Sequence, residues 1–151
     1  MSKKLRILLI NPPFDPQDSV GESASVRFIL NITPPLGLAY LGAVLERDDH
    51  RLRIVDYTAR YRYPDLADLL TEFQPDLIGL TATTPSFAGA CRMAEKLREL
   101  RPGTPLILGG AHVTCSPKEA LETGLFAAGI IREGEETIRE LVANLENGEF
   151  K

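Results

Sequence analysis

The sequence has few of the features that usually indicate a functional class, such as clustered cysteines, long apolar runs, an excess of positive charge or a nucleotide-binding motif. It contains only two cysteines, Cys91 and Cys115, which are far apart and in no metal-ligand spacing. We therefore expect neither a disulfide framework nor a zinc site, and the cysteine content fits a reducing, cytoplasmic compartment. The longest apolar run, residues 36–45, is too short to span a bilayer. Residues 1–4 lead towards a strand and show no signal-peptide pattern.

An excess of positive charge is also missing. The 151 residues include 17 basic and 21 acidic side chains, which gives a formal net charge of −4. No basic patch suited to a phosphate backbone is visible, so we do not expect nucleic acid as a partner. The length fits one domain with a core of its own, since a chain of this size buries roughly 70% of its unfolded surface.

The common nucleotide-binding motifs are absent as well. No G-x-G-x-x-G follows the first predicted strand, and there is no P-loop. Thr81 stands where a phospho-acceptor receiver would need an aspartate. The turn after the first strand, residues 11–14, reads Asn-Pro-Pro-Phe, and its prolines offer no N–H to a phosphate. These absences disfavour a flavin or nucleotide site.

What the sequence does contain is an alternation of apolar strands and amphipathic helices, which predicts an α/β fold with a parallel sheet. Five strands are predicted, at residues 5–10, 52–56, 77–80, 106–108 and 125–131. Helices are predicted from 33 to 46, from 63 onwards, from 86 to 100, after 116–117, and from 135 to 145. The segment 11–32 is much longer than a usual βα connection, which favours a functional loop. We also expect a domain boundary just past the last helix.

Two strand ends carry the main candidate site. The third strand ends in hydroxyl side chains, among them Thr81 and Thr83, and the fourth ends in Gly109 and Gly110. Ligands of open parallel sheets bind outside the carboxyl ends of the strands, so these ends predict a slot for something long and flat. The alternative is purely structural, because threonine suits strand ends and paired glycines suit a strand-to-helix turn. His112, just beyond, is either a metal ligand or a structural residue.

Six segments in the same order resemble the cobalamin-binding domain found at the amino end of many radical S-adenosylmethionine enzymes. The similarity covers almost the whole chain, and its segments are Asn11-Pro12-Pro13, residues 34–41, Val55-Asp56, residues 75–80, Gly109-Gly110-x-His112 and Glu133-Gly134-Glu135. The resemblance implies a flavodoxin-like (Rossmann-like), doubly wound, five-stranded parallel sheet with strand order 2-1-3-4-5. It also implies that the whole of residues 1–151 is one cobalamin-binding domain.

The resemblance further implies a set of cofactor-binding residues around the nucleotide tail of cobalamin. Thr81 and Thr83 would contact the tail, Gly109 and Gly110 would leave room for it, and the long loop 11–32 would approach the corrin. Gly134 and Glu135 would border the same slot, although acidic residues ahead of the last helix also complement its dipole. A Gly110→Leu variant is then expected to lose cobalamin without losing its fold.

Two departures from the wider family limit what is implied. The D-x-H-x-x-G motif, whose histidine ligates cobalt from below, is missing after the first strand, so cobalamin would be held base-off without histidine ligation. A C-x-x-x-C-x-x-C motif for a 4Fe-4S cluster is missing too. The cluster, S-adenosylmethionine and the reaction, methyl transfer or a related one, would belong to a downstream catalytic domain absent from this chain. No activity is then expected from this chain alone.

Two other interpretations stay open. The chain could be a degenerate module that keeps the fold without a corrinoid and serves docking or substrate shaping. A flavin or nucleotide binder ranks last, because the first turn lacks donors for a phosphate.

Overall fold

The fold is built around a five-stranded parallel sheet. The computed structural model describes residues 4–13, 34–59 and 65–149. The strands lie in the order β2-β1-β3-β4-β5, and every pair is parallel, as the sequence predicted. Their bounds are β1 Arg6–Asn11, β2 Arg51–Asp56, β3 Leu77–Thr81, β4 Leu106–Gly109 and β5 Ala128–Gly129.

Six helices cover the two faces of this sheet in the described part of the chain, which makes the fold doubly wound. Their bounds are α1 Leu36–Arg47, α2 Leu66–Phe73, α3 Phe87–Leu100, α4 Ala111–Cys115, α5 Pro117–Glu122 and α6 Glu135–Glu146. Helices α1 and α6 share one core with the sheet, and α2, α3, α4 and α5 share the other. The central strands β1 and β3 are buried on both faces, which is why they read as continuous apolar runs.

The register of the central strands brings small and large side chains together on the α1/α6 face. Leu9 of β1 lies opposite Gly79 of β3, and Gly79 lies opposite Ile107 of β4. Because side chains alternate along a strand, the next residues on this face are Thr81 and Gly109, which are also paired. The carboxyl ends of β3 and β4 therefore present little side-chain volume on the α1/α6 face.

The fifth strand is where the sequence-based prediction was wrong in extent. Residues 125–131 were predicted as strand, but β5 contains only Ala128 and Gly129. It pairs with β4 alone, and flanking bonds from the Ala127 and Ile130 amides to β4 carbonyls extend the contact slightly. An edge strand has no second neighbour to hold it extended, so an alanine- and glycine-rich segment keeps only a short ladder.

Other boundaries differ by smaller amounts. Helix α4 directly follows the Gly109-Gly110 turn and was not predicted, and α3 is preceded by a 3₁₀ turn at Thr84–Ser86. Helix α2 begins at Leu66, where Asp65 accepts a hydrogen bond from the Ala67 amide. Most of the long segment 11–32 and the predicted helix start at 63–64 lie outside the described residues. In the part that is described, no helix is long and apolar enough to cross a membrane.

Candidate functional site

A cleft opens on the α1/α6 face at the carboxyl ends of β3 and β4. One wall is the sheet and the other is formed by the two helices, with the segment between β5 and α6 as the rim. The cleft has a volume of about 140 Å³, less than the roughly 300–1,000 Å³ of pockets that enclose a drug-sized ligand. It can therefore enclose one flat part of a large ligand. Its lining is Leu9, Gly37, Leu38, Leu41, Gly79, Leu80, Thr81, Ile107, Gly109, Gly110, Ile130, Arg132, Glu133, Gly134, Glu135 and Ile138.

Two glycines open the cleft on opposite walls. A Cβ added to Gly109 of β4 would come no closer than 3.9 Å to another atom, the Leu80 carbonyl oxygen. A Cβ on Gly37 of α1 would meet nothing within 4 Å. Gly37 is the second residue of α1, and no packing contact among the described residues requires a glycine there. The space these glycines leave is open towards the cleft.

Gly110 is constrained by the fold itself. Its φ is +99°, and a Cβ there would lie 2.6 Å from the Ala82 carbonyl oxygen and 2.7 Å from Thr81 Oγ1. The two strand ends are joined at this point, because the Ala82 amide donates to Gly109 and the His112 amide donates to Ala82. A leucine at 110 would thus disturb the turn and the β3–β4 junction directly. A substitution at Gly109 therefore distinguishes an effect on ligand binding from an effect on folding better than a substitution at Gly110 does.

Thr81 supplies a polar group at the inner end of the cleft. Its side chain is half-buried, and its hydroxyl makes no hydrogen bond to any residue in the described ranges. A hydroxyl both donates and accepts, so it is available to a ligand that enters the slot. Its position between the cleft and the Gly110 turn is consistent with the predicted role.

Thr83, the second predicted hydroxyl, is not among the lining residues. The chain leaves the strand at Ala82, and Thr83 caps the 3₁₀ turn instead: its amide donates to Ser86 Oγ at 3.0 Å. The two hydroxyls of Thr83 and Ser86 also lie 3.1 Å apart. The structure thus brings five of the six predicted residues to one cleft and leaves Thr83 exposed beside it.

The rim carries the remaining predicted residues. Gly134 is buried, and a Cβ there would approach Ile130 Cγ2 to 2.9 Å and Leu41 Cδ2 to 3.3 Å, so this glycine lets the rim pack against α1. Glu135 begins α6 and is half-buried in the cleft lining. Both the helix-start role and the slot-bordering role predicted for it are compatible with this position.

His112 lies on the opposite face of the sheet. Its side chain is 3% exposed, its ring stacks on Phe87 with 3.7 Å between centroids, and Nδ1 lies 3.4 Å from Thr84 Oγ1. Its Nε2 lies 3.9 Å from a carboxylate oxygen of Glu119 and has no hydrogen-bond partner among the described residues. In those residues no group of three or more potential metal ligands is found. These contacts favour the structural interpretation of His112.

Two other motif segments form a polar junction at the same edge of the sheet. Asn11 Nδ2 donates to Asp56 Oδ1 at 2.9 Å, and Asp56 Oδ1 also accepts from the amide and hydroxyl of Thr58. The Asn-Pro-Pro and Val-Asp segments are therefore tied to each other across β1 and β2. This junction fixes the carboxyl ends of β1 and β2 relative to each other.

Sequence reasoning missed several lining residues for identifiable reasons. Gly79 lies within an apolar strand, and Gly37 lies near the start of an amphipathic helix. At both positions the only sequence signal of a cleft is that glycine is unfavourable in a regular strand or helix. Ile130 was assigned to the fifth strand, and Arg132, directly after that predicted strand, was not singled out. A lone glycine in an element interior was the one sequence signal that could have marked the cleft.

The fold is flavodoxin-like, and the cleft lies at the carboxyl ends of strands β3 and β4. The family model described as "B12 binding domain" matches residues 24–142. This chain therefore belongs to the B12-binding domain family.

Curated sequence relatives match most of this chain. An uncharacterized methyltransferase of Pyrococcus horikoshii is 34% identical over 148 residues, which is 97% of this chain and 30% of the relative. Anaerobic magnesium-protoporphyrin IX monomethyl ester cyclase of Cereibacter sphaeroides is 34% identical over 123 residues, covering 78% of this chain and 20% of the relative. The chain thus spans well under half the length of these curated relatives.

Solved structures share the fold at lower identity. The radical S-adenosylmethionine methyltransferase TsrM from Kitasatospora setae superposes with a TM-score of 0.71 at 21% identity, over 94% of this chain and 26% of that one. OxsB, a cobalamin-dependent S-adenosylmethionine radical enzyme solved with aqua-cobalamin bound, gives 0.74 at 17% identity, over 99% and 20%. The response regulator CheY4 of Vibrio cholerae gives 0.54 at 12% identity, over 95% and 99%. At these identities the likeness concerns the fold.

Proposed function

We propose that this chain binds cobalamin and holds the nucleotide tail in the cleft between β3, β4 and the helices α1 and α6. The observation that carries the proposal is the glycine-lined slot itself. Gly109 and Gly37 open it from both walls, and Thr81 adds a hydroxyl that has no hydrogen-bond partner among the described residues. Family membership names the ligand class that such a slot would take.

The size of the cleft fits the tail better than the whole cofactor. About 140 Å³ admits a flat ring system, while the corrin would lie outside the sheet edge. Leu9, Ile107 and Ile138 provide the apolar walls that an aromatic base requires. The cofactor-binding residues we propose are Thr81, Thr83, Gly109, Gly110, Gly134 and Glu135, to which the lining adds Gly37 and Gly79.

The cofactor is proposed to be base-off and without a histidine ligand from this chain. The sequence has only two histidines. His50 accepts a hydrogen bond from the Leu5 amide at the amino end of the sheet, and His112 is buried on the face away from the cleft. Burying the tail in the slot would also remove its base from the lower face of the cobalt.

The reaction is proposed to belong to a radical S-adenosylmethionine enzyme, a methyltransferase or a related one, of which this chain is the cobalamin-binding domain. Bound cobalamin would supply the chemistry of its cobalt–carbon bond, and the role of this chain is to bind and orient the cofactor. A 4Fe-4S cluster and S-adenosylmethionine would be held by a catalytic domain of the same polypeptide. The names of the relatives support this assignment.

The test is retention of hydroxocobalamin. The protein is mixed with the cofactor and desalted, and its visible spectrum is recorded; corrin absorbance in equimolar amount is expected. After reduction to cob(II)alamin, the electron paramagnetic resonance spectrum should show no splitting by an axial nitrogen. Corrin lost on desalting would refute cobalamin binding, whereas retained corrin with nitrogen splitting would refute only the base-off proposal.

A second candidate is a docking or substrate-shaping module of the same fold that binds no corrinoid. Large apolar side chains exposed beside the cleft favour it: Leu36 is 61% exposed, Tyr40 63% and Ile131 49%. The same desalting experiment separates the two, and a rise in melting temperature with added hydroxocobalamin would exclude this candidate.

A further inference from the structure

One cationic side chain stands at the rim of the cleft with no established role. Arg132 lies between β5 and α6 and is exposed. It is the only cation among the lining residues that the structure describes. None of the described residues forms an ion pair with its guanidinium, although Glu133 and Glu135 line the same rim. Its charge is thus available to a ligand.

The backbone of Arg132 is held in an uncommon conformation. Its φ is +60°, in the left-handed region that residues with a Cβ rarely adopt. The Arg132 amide donates to Thr114 Oγ1 at 2.9 Å, and the Thr114 hydroxyl donates to the Gly110 carbonyl at 3.0 Å. This chain of bonds ties the rim to the Gly110 turn, so the strained residue is fixed relative to the slot. Residues that their surroundings hold in a strained backbone conformation are found most often at ligand-binding and active sites.

We infer that Arg132 binds the phosphate of the nucleotide tail and selects corrinoids that carry this phosphate. The inference rests on the proposed function, since it takes the tail to occupy the slot. A guanidinium offers several N–H donors in a plane and binds phosphate oxygens through two bonds at once. The ligand class is therefore an anion attached to a flat apolar group, with the group in the slot and the anion at the rim.

The two neighbouring carboxylates make the rim selective. Glu133 and Glu135 bring the local side-chain charge to a net negative value with Arg132 included. A free anion gains little there, because the carboxylates repel it. An anion is held only when the rest of its ligand occupies the slot and brings the phosphate to Arg132.

The experiment compares two corrinoids, hydroxocobalamin and dicyanocobinamide, which lacks the nucleotide and its phosphate. Dissociation constants are measured by spectral titration at low and high salt for the wild type and for Arg132→Gln. A charge-assisted contact of this kind predicts a loss of roughly tenfold or more in affinity for hydroxocobalamin. Affinity for dicyanocobinamide should change less than about twofold, and the salt dependence of cobalamin binding should weaken in the variant.

Two further variants serve as controls. Arg47→Gln makes the same charge change at the far end of α1, about 15 Å from Gly37 along the helix, and should leave both affinities unchanged. Arg132→Gly keeps the amide that Thr114 accepts from and relaxes the positive φ. Arg132→Gly should lower the affinity for cobalamin as Arg132→Gln does, while its melting temperature should equal or exceed that of the wild type.

The possible outcomes distinguish a failure of the Arg132–phosphate contact from a failure of cobalamin binding itself. If the wild type binds neither corrinoid, the proposed function and the role of Arg132 both fail. If both corrinoids bind equally well, or Arg132→Gln weakens both by the same factor or neither, corrinoid binding stands and the phosphate contact is refuted. A melting temperature that falls in Arg132→Gly while cobalamin affinity is kept would show that the residue is structural.

Discussion

Replacing Gly109 with leucine fills the cleft while leaving the strand that carries it in place. A Cβ at this position meets nothing closer than 3.9 Å, so the protein itself tolerates the side chain. Leucine adds four carbons to a wall of the cleft that is bare in the wild type. The cleft offers only about 140 Å³, so this side chain would obstruct a flat ring system that enters it.

The expected loss of affinity is large. An aromatic ring system that buries roughly 150–250 Å² gains about 4–6 kcal/mol at about 25 cal/mol per Å². Excluding it should weaken hydroxocobalamin binding by about a thousandfold or more. Stability should change by no more than about 1 kcal/mol, because losing a glycine restricts the unfolded chain.

The assay is a spectral titration with hydroxocobalamin beside a urea unfolding curve. The matched control is Gly103→Leu, an exposed glycine at the opposite edge of the sheet whose added Cβ also meets nothing within 4 Å. It should bind as the wild type does. Binding by Gly109→Leu within about twofold of the wild type would refute the cleft as the tail site.

Three other substitutions test separate parts of the account. Gly37→Ala should leave the free energy of unfolding in urea within about 1 kcal/mol of the wild type and still weaken cobalamin binding, since Gly37 lines the cleft; equal or tighter binding would contradict the role of this wall. Thr81→Val should leave the melting temperature almost unchanged and lower cobalamin affinity by roughly 3- to 10-fold, because the free hydroxyl is lost; an unchanged dissociation constant would contradict its role. The hydrogen bond from Arg139 lowers the pKa of Asp48, so this pair stabilises the fold above the ordinary carboxyl pKa and loses that effect as pH falls through the lowered value. Asp48→Asn should therefore lower the melting temperature by more at pH 7 than at a pH below the lowered pKa, and an equal decrease under both conditions would contradict the pairing.

The sequence predicted the sheet because its central strands carry an unambiguous signal. Consecutive residues such as Ile7 and Leu8 point to opposite faces of the sheet, and both are buried, as is Ile78. A strand that is covered on both faces requires an uninterrupted apolar run. The short edge strand β5 carries no such requirement. Its residues Ala128 and Gly129 are only half-buried, which is why its extent was overestimated.

The site was predictable only where it coincides with strand ends. Gly109 and Thr81 were found because the carboxyl ends of parallel strands meet at one edge. Thr83 was expected to contact the tail together with Thr81, but the chain turns after Ala82, whose amide donates to the Gly109 carbonyl, and Thr83 caps the following 3₁₀ turn. Gly37 comes from a distant helix, and only tertiary packing brings it opposite Gly109.

Binding of cobalamin in this cleft can be tested by mapping the changes in amide chemical shift when hydroxocobalamin is added to the isotope-labelled protein. We expect the shifts to be concentrated at the amides of Thr81, Gly109, Gly110 and Gly134, which line the cleft. The Gly103 amide, at the opposite edge of the sheet, should not move. An absence of shifts, or shifts gathered at the edge around Gly103, would contradict the claim that this cleft holds the cofactor.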